Sequence, residues 1–334
     1  MNFHDYLRAE NSTTTVRIGI LGCSEIARRK FIPALQSCRN ACLAALSSRN
    51  REKAAELLSG IDCPILTHDE LLLNKSIDLV YISLPNHLHE EWSIRVLDSG
   101  KHLICEKPLS TSLGSAEKIL ECAARNARLI YENQMFLFHP QHEIVKTLIE
   151  SERIGRVVAL RAFFGFPFPK TGDFRLDPDQ GGGAFHDLAR YPLGIALHLL
   201  KGRLRDFKGQ SLWHDGLNTA VNGTALTDAD ELFSFTILFG QQYESLYEVI
   251  GDKGKIRLER AFTTPHDYSN RIILTEGSTV TEIPVPPADH FQLMIEDISD
   301  IILTGRDFSF LNRRAALIAR LADDMERGCL SHEC

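Results

Sequence analysis

Between residues 16 and 135, short apolar runs alternate with stretches of helical period, and no other feature constrains the fold as much. Val16-Arg17-Ile18-Gly19-Ile20-Leu21 reads as a buried strand, as do 41–47, 78–84, 102–105 and 129–133, with helical segments between them. Strands and helices in this alternation build a parallel sheet covered on both faces. The expected class is therefore α/β, with a doubly wound parallel sheet over residues 16–135. Ligands of such sheets bind outside the carboxyl ends of the strands, so the residues just after each apolar run carry the most information.

After the first run comes Gly22-Cys23-Ser24-Glu25-Ile26-Ala27, then Arg28 and a helix to about residue 38. The Rossmann dinucleotide turn reads G-x-G-x-x-G or A; here it reads G-x-S-x-x-A. Ser24 adds a side chain where backbone otherwise approaches a pyrophosphate, although its hydroxyl is itself a phosphate donor. Backbone N–H groups at the helix start supply the anion site. Gly22, Cys23, Ser24, Glu25, Ile26, Ala27 and Arg28 are thus candidate cofactor residues. The second run ends in Ser47-Ser48-Arg49-Asn50-Arg51, with Lys53 following. An NAD site places a carboxylate there for the ribose 2′-hydroxyl. Hydroxyl and guanidinium groups instead bind a 2′-phosphate by charge-assisted bonds. Ser48, Arg49 and Lys53 favour NADP(H) over NAD(H); the alternative is that Arg49 and Arg51 only begin a solvated helix.

The fourth run delivers Glu106-Lys107-Pro108 at its end. A carboxylate and an amine at the end of a buried strand are costly unless something uses them. Proline fixes its own φ, restricts Lys107 and stops the strand. Leu84 ends the third run with Asn86 and His89 just beyond it, and Asn133 ends the last, so all four are candidates to touch a cofactor. His87 and His89 lack the surrounding ligand spacing of a zinc site, and no metal is expected.

In the second half, a helix near 141–151 precedes a long strand at 156–166. Further strand candidates are 231–239, 242–250, 255–259, 271–275 and 279–285. Gly240-Gln241 and the Gly251–Gly254 stretch mark expected hairpin turns. Successive strands predict an α+β domain with a large, mostly antiparallel open sheet. Helices at about 289–303 and 311–327 close the chain. Among these elements lies Phe174-Arg175, then Gly181-Gly182-Gly183 opening a helix with Asp187 and Tyr191. A spacing of four puts carboxylate and phenol on one helix face, able to handle a proton together. A buried tyrosine simply bonded to an aspartate is the alternative.

At 334 residues the chain is too long for one core. The expected division is a polar N-terminal extension at 1–15, a dinucleotide-binding domain at 16–135 and a substrate-binding and oligomerisation domain at 136–334. A net charge of −7 leaves no basic excess for nucleic acid. Eight cysteines with no C-x-x-C pair, several inside apolar runs, suggest reduced thiols and a cytoplasmic protein. No apolar run approaches a membrane span, and residues 1–15 lack a signal peptide's apolar core.

These pieces together resemble the glucose–fructose oxidoreductase / inositol dehydrogenase / MocA family. The resemblance rests on G-x-x-G-x-S-x-x-A at 19–27, Pro85-Asn86 with His89, Glu106-Lys107-Pro108, and Gly181-Gly182-Gly183 followed by Asp187 and Tyr191. Within the family, residues 22–29, 132–142 and 251–262 resemble the NDP-hexose 3-ketoreductases that reduce dTDP-3-keto-deoxysugars. The resemblance implies a sugar or NDP-sugar as substrate, bound by Lys107, Arg175, Asp187 and Tyr191. It implies Tyr191 as general acid, and Lys107 as the cation that stabilises the growing alkoxide and lowers the Tyr191 pKa. Asp187 would orient Lys107 or bind a hydroxyl. Glu106 would fix the Lys107 backbone and contact the nicotinamide ribose. Arg175 would anchor a ribose, a sugar or a diphosphate. A homodimer or homotetramer through the C-terminal sheet is also implied. Rival readings are an NADP-dependent aldose dehydrogenase of xylose or glucose type, a dihydrodiol dehydrogenase, and a non-catalytic dinucleotide or sugar sensor.

Overall fold

The structure, a computed structural model, describes residues 15–330, so the expected extension lies outside it except for Thr15, and Cys334 lies outside it too. The first domain alternates β1 (Val16–Leu21), α1 (Ile32–Gln36), β2 (Ala41–Ser47), α2 (Arg51–Leu57), β3 (Ile65–Leu66), α3 (His68–Leu73), β4 (Leu79–Ile82), α4 (His89–Asp98), β5 (His102–Cys105), α5 (Leu113–Arg125) and β6 (Ile130–Glu132). All six strands are parallel, in the order β3-β2-β1-β4-β5-β6. Successive side chains point to opposite faces. Ile18, Ile20, Tyr81 and Ile104 therefore fill one core, while Leu21, Val80, Ile82 and Leu103 fill the other. Each such burial contributes about 1.5–3 kcal/mol. The strand order reverses about β1, which opens a crevice at the carboxyl ends of β1 and β4.

The second domain contains α6 (Pro140–Glu150), β7 (Val157–Phe166), α7 (Ala184–Leu188), α8 (Arg190–Leu199), β8 (Leu204–His214), β9 (Leu217–Thr227), β10 (Leu232–Phe239), β11 (Glu244–Gly251), β12 (Gly254–Glu259), β13 (Asn270–Glu276) and β14 (Thr279–Val285). Its eight strands run in the order β14-β13-β12-β11-β7-β10-β9-β8. Every pairing is antiparallel except β7 with β10. Two expectations change here. Gly240-Gln241 is not a hairpin turn, because β7 inserts between β10 and β11. The mostly apolar β7, far earlier in the chain, pairs along the length of both, and a turn-like dipeptide cannot reveal that competitor. Strands β8 and β9 were not expected at all. The exposed, polar-rich run of β8 offers little periodic apolar signal, and pairing to β9 decides its conformation.

The last helices, α9 (His290–Thr304) and α10 (Ser309–Cys329), return to the parallel sheet. Arg39 and Asn40 bond Glu296 and Asp300 of α9. Asn312 of α10 accepts from Ile130 N–H at 2.9 Å and donates to Arg128 carbonyl at 3.0 Å. That amide occupies the otherwise open edge of β6, where unpaired backbone groups invite aggregation. Among the described residues, no helix is long and apolar enough to cross a membrane, and the seven described cysteines are unbridged.

Candidate active site

A cleft of about 850 Å³ runs along the carboxyl ends of the parallel strands and reaches the second domain. The turn after β1 forms one end. Gly22 has φ +107°, and a Cβ there would lie 2.9 Å from Ser83 carbonyl oxygen and from Leu84, so only glycine fits. Ser24 Oγ accepts from Ala27 N–H at 3.1 Å. The serine that departs from the glycine pattern thus caps the helix start, and its own O–H proton faces no partner within the turn. Gly22, Cys23, Ser24, Glu25 and Ile26 line the cleft. Ala27 is instead fully buried, and Arg28 turns away to pair with Glu25 at 2.7 Å. With Arg29 also at 3.0 Å, the Glu25 carboxylate is neutralised beside the glycine turn.

The cleft continues over Ser48, Arg49, Asn50 and Lys53 at the start of α2, and over His68. Asn50 caps α2 by accepting from Lys53 N–H at 2.9 Å, and Ser48 Oγ accepts from Asn50 N–H at 3.1 Å. No acidic residue lines this end; two cations and a helix start do. Asn50 and His68 were not singled out from sequence. The first is an ordinary capping residue, and the second follows a two-residue strand too short to show a pattern.

Glu106 and Lys107 lie where the domains meet. Tyr81 O–H donates to Glu106 Oε1 at 2.5 Å and Asn133 Nδ2 donates to the same oxygen at 2.6 Å. Burial still raises the Glu106 pKa against these bonds and the nearby Lys107 charge. Asn133 is itself buried outside the cleft lining, so it acts on Glu106. His89 is likewise buried, its ring nitrogens 2.7 Å from Pro108 carbonyl and 2.9 Å from Leu84 carbonyl. It ties two cleft loops together and does not reach the cleft. Asn86 lines the cleft and donates to Gly181 carbonyl of the second domain at 2.8 Å.

Lys107 Nζ donates to Asp187 twice, to Oδ1 at 2.6 Å and to the backbone carbonyl at 2.8 Å. Arg175 Nε donates to the other carboxylate oxygen at 3.1 Å, and Arg175 also pairs with Asp173. The three glycines make this possible. Gly182 N–H bonds Asp177 carbonyl and Gly183 N–H bonds Arg175 carbonyl, both at 2.9 Å. A Cβ on Gly182 would sit 2.6 Å from Arg175 carbonyl oxygen. The loop bearing Arg175 therefore folds flat against the start of α7 and delivers its guanidinium to Asp187. Arg175 thus pairs with two carboxylates through Nε and Nη1 and still lines the cleft, where sequence expected it to anchor a ribose, a sugar or a diphosphate.

The helix carrying Asp187 is not continuous with that of Tyr191; α7 ends and α8 begins at Ala189. Both side chains nevertheless line the cleft. Lys107 Nζ lies 5.3 Å from the Tyr191 ring centroid, over its face. Burial raises the Tyr191 pKa; Lys107 opposes this and Asp187 reinforces it, so the phenol lies above its ordinary value. Lys107 thus acts on the phenol in the expected, lowering direction, and burial outweighs it. For Lys107, burial acts downward, but Asp187 and Tyr191 outweigh it and hold the ammonium charged. For Asp187, burial acts upward and the two cations prevail, so the carboxyl stays below its usual range. Arg190, on the far side of α8, makes a buried pair with Glu132 at 3.1 Å that fixes α8 to the end of β6. Met135, Asp173 and Phe174 also line the cleft. Among the described residues, no group of three or more His, Cys, Asp or Glu side chains could hold a metal.

This arrangement pairs a glycine turn at a helix start with a protonated phenol, a buried ammonium and a carboxylate bonded to it. It suits proton delivery to an oxygen that gains negative charge. Residues 16–134 match the family model of oxidoreductases with an NAD-binding Rossmann fold, and residues 142–257 match the GFO/IDH/MocA C-terminal domain. A dTDP-3,4-didehydro-2,6-dideoxy-alpha-D-glucose 3-reductase of Saccharopolyspora spinosa is 32% identical, over 87% of this chain and 88% of its own. A D-xylose 1-dehydrogenase (NADP(+)) of Haloferax volcanii is 30% identical, over 86% of this chain and 89% of its own. A 3-ketoreductase from Actinomadura kijaniata, crystallised with NADP and TDP-benzene, superposes with a TM-score of 0.90 at 29% identity and covers 94% of this chain and 98% of its own. With both domain models matched in order and relatives of 30% identity or more along most of its length, the chain belongs to the Gfo/Idh/MocA family of oxidoreductases.

Proposed function

We propose that the protein reduces the C3 ketone of a nucleotide-linked deoxyhexose with NADPH. The observation that carries this reading is the meeting of Lys107, Asp187 and Tyr191 in a cleft whose other end is the glycine turn and the Ser48–Arg49–Lys53 corner. The residues fit NADP(H). The Gly22 turn leaves backbone open to a pyrophosphate, and the corner without a carboxylate suits a 2′-phosphate. Bound there, the cofactor supplies the hydride. Tyr191, kept protonated by burial, gives its proton to the ketone oxygen, and solvent restores it. Lys107 stabilises the negative charge on that oxygen before the proton arrives. Asp187 aims Lys107, and Glu106, held by Tyr81 and Asn133, fixes the strand end from which Lys107 projects.

The dTDP-sugar 3-reductase relative supports the substrate class. Variants of the Actinomadura enzyme have been solved with a lysine changed to alanine and a tyrosine changed to phenylalanine. Those two positions are as far apart along that chain as Lys107 and Tyr191 are here. The Haloferax relative favours a second reading, NADP-dependent oxidation of a free aldose by the same residues. Nicotinamide absorbance decides between them. NADPH consumption with a dTDP-3-keto-deoxyhexose supports the first; NADP reduction by D-xylose without that activity supports the second. Dinucleotide binding with neither reaction would point to a sensor.

A further inference from the structure

Lys107 and Tyr191 come from different domains, so neither element alone sets their register across the cleft. Two consecutive residues at the end of β6 grip the chain on both sides of Lys107. Asn133 Nδ2 donates to Glu106 Oε1 at 2.6 Å, on the residue before it. Glu132 Oε1 accepts from Leu109 N–H at 2.8 Å, two residues after it. The same Glu132 oxygen accepts from Arg190 Nε at 3.1 Å, and Arg190 Nη2 donates to Ser110 carbonyl at 3.3 Å. Arg190 immediately precedes Tyr191 on α8. One carboxylate and one guanidinium therefore close a bridge from the residues that follow Lys107 to the residue that precedes Tyr191.

The bridge is buried, with the side chains of Glu132 and Arg190 only 3% and 6% exposed. Replacing both members of such a pair by uncharged side chains of similar volume is often neutral for stability, so the fold alone does not require it. What the pair supplies is direction. A guanidinium presents its N–H groups in a rigid planar fork, so two bonds from one fork fix both the distance and the angle of the main chain behind it. Neither Glu132 nor Arg190 lines the cleft. The leading influences on the Tyr191 phenol are burial, Lys107, Asp187, Glu106 and Arg175, and neither member of the pair is among them. Glu132 and Arg190 thus reach the reaction through geometry rather than through contact or charge.

We infer that Glu132 and Arg190 are positioning residues of the reaction, and that their buried pair sets the separation of Lys107 and Tyr191 across the domain boundary. Lys107 Nζ lies 5.3 Å from the Tyr191 ring centroid, and both groups must address one ketone oxygen. A displacement of about 1 Å between reacting groups costs about 10²-fold in rate. This positioning role rests on the roles of Lys107 and Tyr191 proposed above and adds what holds them in register.

The test uses the full chain with a dTDP-3-keto-deoxyhexose in single-turnover NADPH oxidation, and NADPH affinity by fluorescence is the check on folding. The main variant is the double change Glu132→Gln/Arg190→Met, which removes the bridge to α8 without stranding a charge. Arg190→Lys keeps the charge and loses the fork. The expected result is a rate about 10–10²-fold below the parent with the double change and an intermediate loss in Arg190→Lys, NADPH affinity being unchanged in both. In a Tyr191→Phe background the double change should cost less than about threefold, because the separation it disturbs no longer matters. A rate within about threefold of the parent with the double change overturns the positioning role. An equal loss in the parent and Tyr191→Phe backgrounds overturns it too, as does loss of NADPH affinity in both variants, because the pair then supports the fold at large. Those three outcomes leave the proposed function standing; parent-like turnover in Tyr191→Phe alone overturns the roles on which the positioning depends.

Discussion

Replacing Asp187 by asparagine tests the core of the proposed mechanism with almost no change of shape. The carboxylate offers an oxygen to Lys107 at 2.6 Å and another to Arg175 at 3.1 Å. An amide has only one acceptor oxygen. If it faces Lys107, the NH2 group meets Arg175 Nε, donor against donor; if it faces Arg175, Lys107 suffers. Side chains at Lys107 and Asp187 are only 12% and 9% exposed, so solvent cannot replace what is lost. Breaking such a buried pair costs about 3–5 kcal/mol of folding stability. Turnover should fall about 10²–10³-fold, the usual cost of losing one preorganised donor. The pH profile carries the distinctive signature. Asp187 raises the Lys107 pKa, whereas burial and Arg175 lower it. The charged ammonium persists below its pKa and is lost as pH rises through it, so the alkaline limb of kcat/KM should move to lower pH in the variant. Stability behaves in the opposite sense. The Asp187 carboxyl is held below its ordinary value, so its contribution is full above about pH 3.9 and lost as acid protonates it. The assay is NADPH oxidation across pH, with NADPH affinity as control. A variant that stays within about tenfold of the parent in turnover, with its alkaline limb unmoved, refutes the assignment of Asp187 as the group that orients Lys107.

The remaining perturbations follow the same logic. Tyr191→Phe and Lys107→Ala should each lose about 10²–10³-fold in kcat while NADPH binding survives; parent-like turnover in both would remove them from the chemistry. Arg49→Glu should weaken NADPH by about tenfold or more and leave NADH nearly unchanged, read by fluorescence titration; an equal loss for both cofactors contradicts the 2′-phosphate corner. Tyr81→Phe removes a 2.5 Å donor from Glu106, so thermal unfolding should show a loss of about 1–3 kcal/mol, and an unchanged midpoint argues that the bond contributes nothing. Arg190→Met strands the buried Glu132 carboxylate and should cost about 3–5 kcal/mol in denaturant titration, with little change in the NADPH affinity of the fraction that folds.

Much of the cleft was legible in the chain. Gly22 to Ile26, Ser48, Arg49, Lys53, Leu84, Asn86, Glu106 and Lys107 all stand just after apolar runs, and all line it. Local order suffices there, because a parallel strand presents whatever follows it at one edge of the sheet. Ala27, Arg28, His89 and Asn133 satisfy the same positional rule but point elsewhere. Which way a side chain turns depends on partners such as Glu25, Pro108 and Glu106, and sequence spacing does not encode them. Phe174 and Asp173 were missed because their role comes from a loop pressed flat by Gly182 and Gly183.

By itself, then, the sequence determined the parallel domain, the glycine turn after β1, the Lys107 strand end and the family, because each is written in contiguous residues. Only the tertiary structure decided the order of the second sheet, where β7 separates β10 from β11. It alone decided that Arg175 serves Asp187, and that Tyr191 lies above its ordinary pKa despite the cation beside it. Strand pairing is a competition among distant segments, and a pKa is a balance of burial against charge. Both are properties of the packed molecule, and neither exists until the chain has folded.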